Sequence, residues 1–230
     1  MRSVKPFIFI AFFVFLAGLA KSQNCTLYFP SKEGAETEMT QYDAKNKVTG
    51  TVHQKITGKE STAAGVKVNF ESESFDKKGK SISKGQFSVK CENGVFYIDM
   101  KSMMNGTMAA YKDMDVQVKT DDLDMPAKLT AGQTLKDGML TMDIKSGGMQ
   151  IMSMKMTITN RKVEAVETIT TPAGTFECYK ISSQVDTKMM ISVQTKNIEW
   201  YAKEVGMVKS ETYDKNGKLM GTNVLTKLKN

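Results

Sequence analysis

Few side chains in this sequence could do chemistry. His53 is the one histidine in 230 residues, and its strand parity is opposite to Val52 and Ile56, which places it toward water. A hydrolytic triad or a zinc site would need more imidazole than this, or a cysteine cluster. The cysteines are Cys25, Cys91 and Cys178. In an oxidising compartment any two of them could pair, leaving one free. Cys91 and Cys178 follow the parity of apolar neighbours (Phe87 and Val89; Phe176), so burial or a disulfide fits them better than catalysis. Carboxylates are plentiful, but Glu71 and Glu73 alternate along one strand as a solvated face. Asp121, Asp122 and Asp124 lack the spacing of an EF-hand loop. No phosphate loop or nucleophile elbow is present. An enzyme would need carboxylates meeting in a cleft, and nothing in the sequence requires that.

Methionine is the unusual residue, with eighteen in the chain. They cluster at Met100, Met103, Met104, Met108 and Met114, then at Met149, Met152, Met154 and Met156, then at Met189 and Met190. Thioethers are soft ligands suited to Cu(I), and methionine is also the adaptable filler of irregular apolar space. Met152, Met154 and Met156 sit at strand alternation, as a core or a cavity wall would require. We therefore take Met104, Met108, Met152, Met154 and Met156 as the candidate ligand-binding residues for an apolar molecule. Copper handling by converging sulfurs is the alternative. No cofactor is expected.

The elements that must position these residues begin after a leader. Arg2 and Lys5 precede an apolar run from Pro6 to Ala20, and Ala20-Lys21-Ser22 offers small residues before Gln23. This is the pattern of a cleaved secretory signal over residues 1–22, and the run is short against the ~20 residues of a membrane span. Ser22-Gln23-Asn24 before Cys25 do not resemble a lipoprotein signal, so lipidation is not expected. Losing Arg2, Lys5 and Lys21 lowers the net charge from +7 to +4, with no basic stripe to suggest nucleic acid. Residues 23–230 read as one exported β domain, free in the periplasm or outside, or peripherally attached to the envelope.

Period-two alternation dominates the domain. Val66, Val68 and Phe70 share a face, as do Phe96, Ile98 and Met100, and Met152 through Ile158. Ile181, Val185, Met189, Ile191 and Val193 read as one long strand. Such patterning predicts antiparallel sheet with one wet face. Three segments resemble one another: Tyr42 to Lys47, Phe75 to Lys80 and Tyr213 to Lys218. Each has an aromatic, an Asp that can bond its own backbone, and a Gly or Asn able to take φ > 0, so each predicts a hairpin tip. Glu92-Asn93-Gly94 and Ser146-Gly147-Gly148 predict two more. Met103 to Met114 reads as a short helix, with Met104, Met108 and Tyr111 on one side. Asp121 to Pro126 reads as a loop. The expected fold is all-β, a strongly curved sheet or open barrel with one short helix.

Two segments carry a family likeness. Thr171-Pro172-Ala173-Gly174-Thr175-Phe176-Glu177-Cys178-Tyr179-Lys180 and Trp200-Tyr201-Ala202-Lys203-Glu204-Val205-Gly206-Met207-Val208, with Tyr28-Phe29-Pro30 and Gly34, resemble the TapB-like family, related to the DUF3108 group of exported bacterial proteins. The resemblance spans most of residues 25–228. It implies an exported, mainly antiparallel β domain and carries over no catalytic residue. Together these readings favour a non-enzymatic envelope protein that binds an apolar, lipid-like ligand. A structural module packed against an envelope partner is the other non-metal reading.

Overall fold

The computed structural model describes residues 25–62, 64–104, 111 and 113–229. The expected leader, residues 1–22, and Met108 lie outside them. The chain begins with β1 (Glu36–Asp43), β2 (Val48–Thr62), β3 (Gly65–Asp76), β4 (Ser81–Glu92) and β5 (Val95–Ile98). One helical turn, α1 (Met100–Met103), leads to β6 (Asp115–Asp121), β7 (Leu123–Pro126), β8 (Gly138–Ser146) and β9 (Met149–Thr171). The last strands are β10 (Gly174–Lys188), β11 (Ser192–Ala202), β12 (Gly206–Asp214) and β13 (Leu219–Lys229).

All thirteen strands form one antiparallel sheet, ordered β6-β8-β9-β10-β11-β12-β13-β1-β2-β3-β4-β5-β7. Its two edge strands, β6 and β7, are joined by Asp122 alone. A sheet whose opposite edges are consecutive in the chain must curl on itself, and this one nearly closes into a barrel. Residues 127–137 fill the remaining seam beside β9. The Gly132 and Leu135 amides donate to the Val163 and Arg161 carbonyls at 2.7 and 2.8 Å. Curling in this way disposes of most exposed edge.

The hairpin tips follow from their residues. In the β1–β2 tip, Asp43 Oδ1 accepts from the Lys45 and Lys47 amides, both at 2.9 Å. Asp76 does the same with Lys78 and Lys80, and Asp214 with Asn216 and Lys218. The position before the last lysine needs φ > 0, and it is filled by Asn46, Gly79 and Gly217 at 59°, 79° and 79°. Backbone hydrogen bonds hold the Asp43 and Asp214 carboxyls below the usual carboxylate range. Asn93-Gly94 and Gly147-Gly148 form the two predicted tight turns.

Three readings of the sequence are corrected. The helix is a single turn at Met100–Met103, capped by Asp99, whose side chain accepts from the Ser102 amide. Met104, Tyr111, Asp113 and Met114 are not helical, and the residues between lie outside the described set. Asp121 to Pro126 is not a loop, because β6 runs through Asp121 and β7 pairs with β5 as far as Val95↔Pro126. Proline is tolerated there because β7 is an edge strand. Finally, Ile181 to Val193 is not one strand. The chain reverses at Met189 to Ile191, with Thr187 facing Val193 and Lys188 facing Ser192.

The core lies inside the curl. Ile56, Val68, Phe70, Val89, Phe96 and Ile181 are at most 2% exposed. The segment before β1 enters one end of the barrel and plugs it. The Tyr28 ring meets Phe96 and Tyr179 edge-on at 5.9 and 6.0 Å, and Phe29 meets Phe70 at 5.0 Å. Such aromatic pairs contribute ~0.5–1.5 kcal/mol each beyond their burial. A disulfide from Cys25 to Cys91 ties the plug to β4. A second cluster lies on the outer face, where Trp200 packs with Cys178 and Phe176. Lys180 and Lys209 cover its ring at 5.3 and 4.9 Å, and its indole N–H donates to Glu167.

Candidate functional site: a cavity inside the curled sheet

A cavity of about 280 Å³ lies inside the curl, above the plug. Phe29 of the plug, Met39, Phe87, Met156, Met207 and Leu225 form its apolar wall. It is enclosed by β strands from both halves of the chain and by Met100 of α1. Two wider depressions of about 460 and 480 Å³ lie between polar and charged side chains of the outer face, including His53 and Lys196. Those are open saddles of the sheet, whereas small-molecule sites are concave and mostly apolar. The interior cavity is the candidate site.

Its polar end is built from β9 and β11. Glu199 and Tyr201 share strand parity and point inward, and both line this cavity and a smaller one of about 60 Å³ that adjoins it. Arg161 and Asn197 line the smaller space. Arg161 is 5% exposed. It donates from Nη1 to the Lys136 carbonyl at 2.5 Å and from Nη2 to the Asp124 carbonyl at 3.1 Å. Its Nη1 also stands 3.8 Å from the Asp124 carboxylate. Arg161 therefore stitches β9 to the strand on the other side of the seam. Asn197 Oδ1 is buried with no hydrogen-bond partner in the protein, an acceptor left for something else to satisfy.

Glu199 lies deep in the sheet but keeps accessible surface because it faces the cavity. Burial pushes its carboxyl pKa up, and the nearby Arg161 charge only partly opposes this. Burial also lifts the Tyr201 phenol well above its ordinary range. A group that binds its proton more tightly when folded costs stability as pH rises past its unfolded value, because only the unfolded chain then loses the proton. Glu199→Gln should therefore raise the melting temperature at pH 7–8 and leave it almost unchanged near pH 3, well below the ordinary carboxyl range, where the carboxyl is protonated in both states. Thermal scans at the two pH values check this. An equal shift at both would show that Glu199 is not held in its neutral form.

The five candidate methionines divide. Met156 lines the cavity. Met104, Met152 and Met154 pack instead on a neighbouring cluster formed by Met100, Leu140, Met142 and Ile144. Met108 is outside the described residues. Cys25 and Cys91 form the disulfide, and Cys178 is free and buried. Burial pushes the Cys178 thiol up to about 11, the reverse of an activated nucleophile. His53 is half exposed on the outer face, 3.0 Å from Glu38. The Asp121 to Asp124 trio is dispersed: Asp122 accepts from the Met100 amide and Asp124 faces Arg161.

Sequence reasoning missed Arg161, Asn197, Glu199 and Tyr201 as a polar end. The signal was present at Asn160, whose φ of 54° marks a bulge. Upstream of it the even-numbered residues of β9 face inward, and downstream Arg161 and Val163 do. An unbroken period-two reading places Arg161 in water.

Two solved structures share this architecture. One, from Bacteroides fragilis NCTC 9343, is described as a "putative exported protein with YmcC-like fold". It is 25% identical, covers 90% of this chain and 100% of its own, and superposes with a TM-score of 0.74. The other, from Parabacteroides distasonis ATCC 8503, is described as a "putative lipoprotein", with 27% identity, the same coverage and a TM-score of 0.75. No curated protein matches the chain significantly in sequence. A sequence profile matches over residues 32–225, nearly the whole sheet, and by that match the chain belongs to the DUF3108-like family.

Proposed function

We propose that this protein is an exported, non-enzymatic binder of a slender apolar molecule with a polar end, held inside the curled sheet. One observation carries the reading: an apolar cavity of about 280 Å³ whose far side presents Glu199 and Tyr201. That volume is at the lower edge of the ~300–1,000 Å³ typical of small-molecule sites. It suits a single acyl chain or a molecule of similar width, and is too small for a two-chain lipid. The Glu199 carboxyl and Tyr201 hydroxyl offer polar partners, Arg161 supplies positive charge behind them, and Asn197 offers a free acceptor. The methionine wall adapts to the ligand's shape. The leader at residues 1–22 and the names of the two structural relatives support export.

The test is native mass spectrometry on protein taken from its own envelope fraction without detergent, with copper quantified on the same sample. The expected result is an added mass of several hundred daltons that organic solvent extracts. It should be reduced in Met156→Trp, which takes up part of the cavity. A bare protein that stays bare when offered fatty acids and monoacyl lipids would overturn the proposal. A copper load in place of the organic mass would assign the methionines as thioether ligands instead.

A further inference from the structure

The up-and-down course of the chain places five hairpin tips at one end of the barrel: β1–β2, β3–β4, β8–β9, β10–β11 and β12–β13. The plug enters at the other. Eleven large apolar residues among those described are exposed. Ten of them lie at the tip end. Met189, Met190 and Ile191 form the β10–β11 tip itself, with Met190 fully exposed and Ile191 75% exposed. Met149 and Ile151 follow the β8–β9 turn, Val193 begins β11, and Met114 precedes β6 beside it. Val48, Ile82 and Met220 each stand within two residues of a lysine-bearing turn. The one exception is Val166, in mid-strand.

Charge follows the same polarity. The β1–β2, β3–β4 and β12–β13 tips are consecutive around the sheet and carry two, three and two lysines. Their only acids are Asp43, Asp76 and Asp214, each engaged by two backbone amides of its own turn. Lys145 and Lys188 flank the apolar tips, while Asp113, Asp115 and Asp143 lie along the β6–β8 edge. At the opposite end, the turns at Asn93-Gly94, Pro172-Ala173 and Lys203-Glu204-Val205 hold one cation and one anion, and none of the exposed large apolar side chains. Scattered exposed apolar residues need no explanation, but ten gathered on one rim do.

We infer that this rim docks on an anionic lipid surface, with the Met189-Met190-Ile191 and Met149-Ile151 tips entering the headgroup layer and the lysine tips resting on anionic headgroups. The combination of apolar insertion and cationic attraction is the one that holds proteins at such interfaces. It favours a bilayer over a protein groove because the apolar residues stand on five separate tips and not on one continuous face. The inference does not depend on a ligand in the cavity.

The experiment is co-sedimentation of the mature, disulfide-bonded protein with phosphatidylethanolamine vesicles, with and without phosphatidylglycerol. Binding should require phosphatidylglycerol and weaken with salt. Met190→Glu with Ile191→Glu should reduce partitioning at least tenfold, and Lys77→Glu with Lys78→Glu and Lys215→Glu should do the same. Val166→Glu should leave it unchanged. All these positions are exposed, and matching melting temperatures establish that the variants fold. Failure to bind anionic vesicles, or binding that the rim variants do not alter, overturns the inference. So does a lipid-free dimer that the Met190→Glu, Ile191→Glu variant dissociates, since the rim would then be the contact between two copies.

Discussion

Arg161→Ala should destabilise the fold by ~3–5 kcal/mol, the cost of breaking a buried ionic contact from one side. Two part-buried carbonyls across the seam, of Lys136 and Asp124, lose this donor as well. Glu199 also loses the one charge that opposes its burial, so its carboxyl shifts further up. Urea unfolding would show a lower midpoint with little change in slope. Arg161→Lys should recover only part of the loss, because an ammonium lacks the planar fork that reaches both carbonyls. A midpoint within experimental scatter of the parent would mean that the seam holds without this side chain.

Removing the disulfide, by reduction or by Cys91→Ser, should cost ~4 kcal/mol on the loop-entropy estimate for a cross-link spanning 66 residues. For a chain of this size that is a drop of roughly 10 °C in melting temperature. The bond also holds the Leu27-Tyr28-Phe29 plug against the core, so the apolar end of the cavity loosens with it. Gly65 shows how closely the backbone is packed there: a Cβ on it would stand 1.9 Å from the Cys91 carbonyl oxygen and 3.3 Å from Cys25 Sγ. Calorimetry with and without reductant measures the effect. Equal melting temperatures would show that packing alone retains the plug.

The strands and their turns were legible because each obeys a local rule. The three Asp-containing tips repeat one sequence pattern and form the same hydrogen bonds. What was not legible came from two sources. Bulges change which face a residue occupies, so Arg161 reads as a surface residue until Asn160 is known to bend the chain. The β10–β11 reversal contains no Gly, Pro, Asn or Asp at its apex, so Met189-Met190-Ile191 reads as the continuation of one long strand with one wet face. The methionine clusters divide between interior and surface: Met104, Met152, Met154 and Met156 pack on apolar neighbours, Met114, Met149, Met189 and Met190 are exposed, and among the described candidates Met156 alone lines the cavity. The residues that complete the wall, Phe29, Met39, Met207 and Leu225, come from elements far apart in the sequence, and no spacing rule joins them. The disulfide pairing was open for the same reason.

Almost every strand pairs with one close by in the chain, but β1 pairs with β13. A ribosome or an export channel delivers the amino-terminal end first, so β1 must wait with one edge unfilled until the last strand emerges. A waiting edge invites wrong partners. Here the two closing strands carry opposite charge: Lys227 reaches Glu38 at 2.6 Å across 189 residues, and Lys229 reaches Glu36 at 3.7 Å. Two glutamates along the first edge repel a second copy of the same strand and attract the late-arriving one. The last strand made is thus the one that covers the edge of the first.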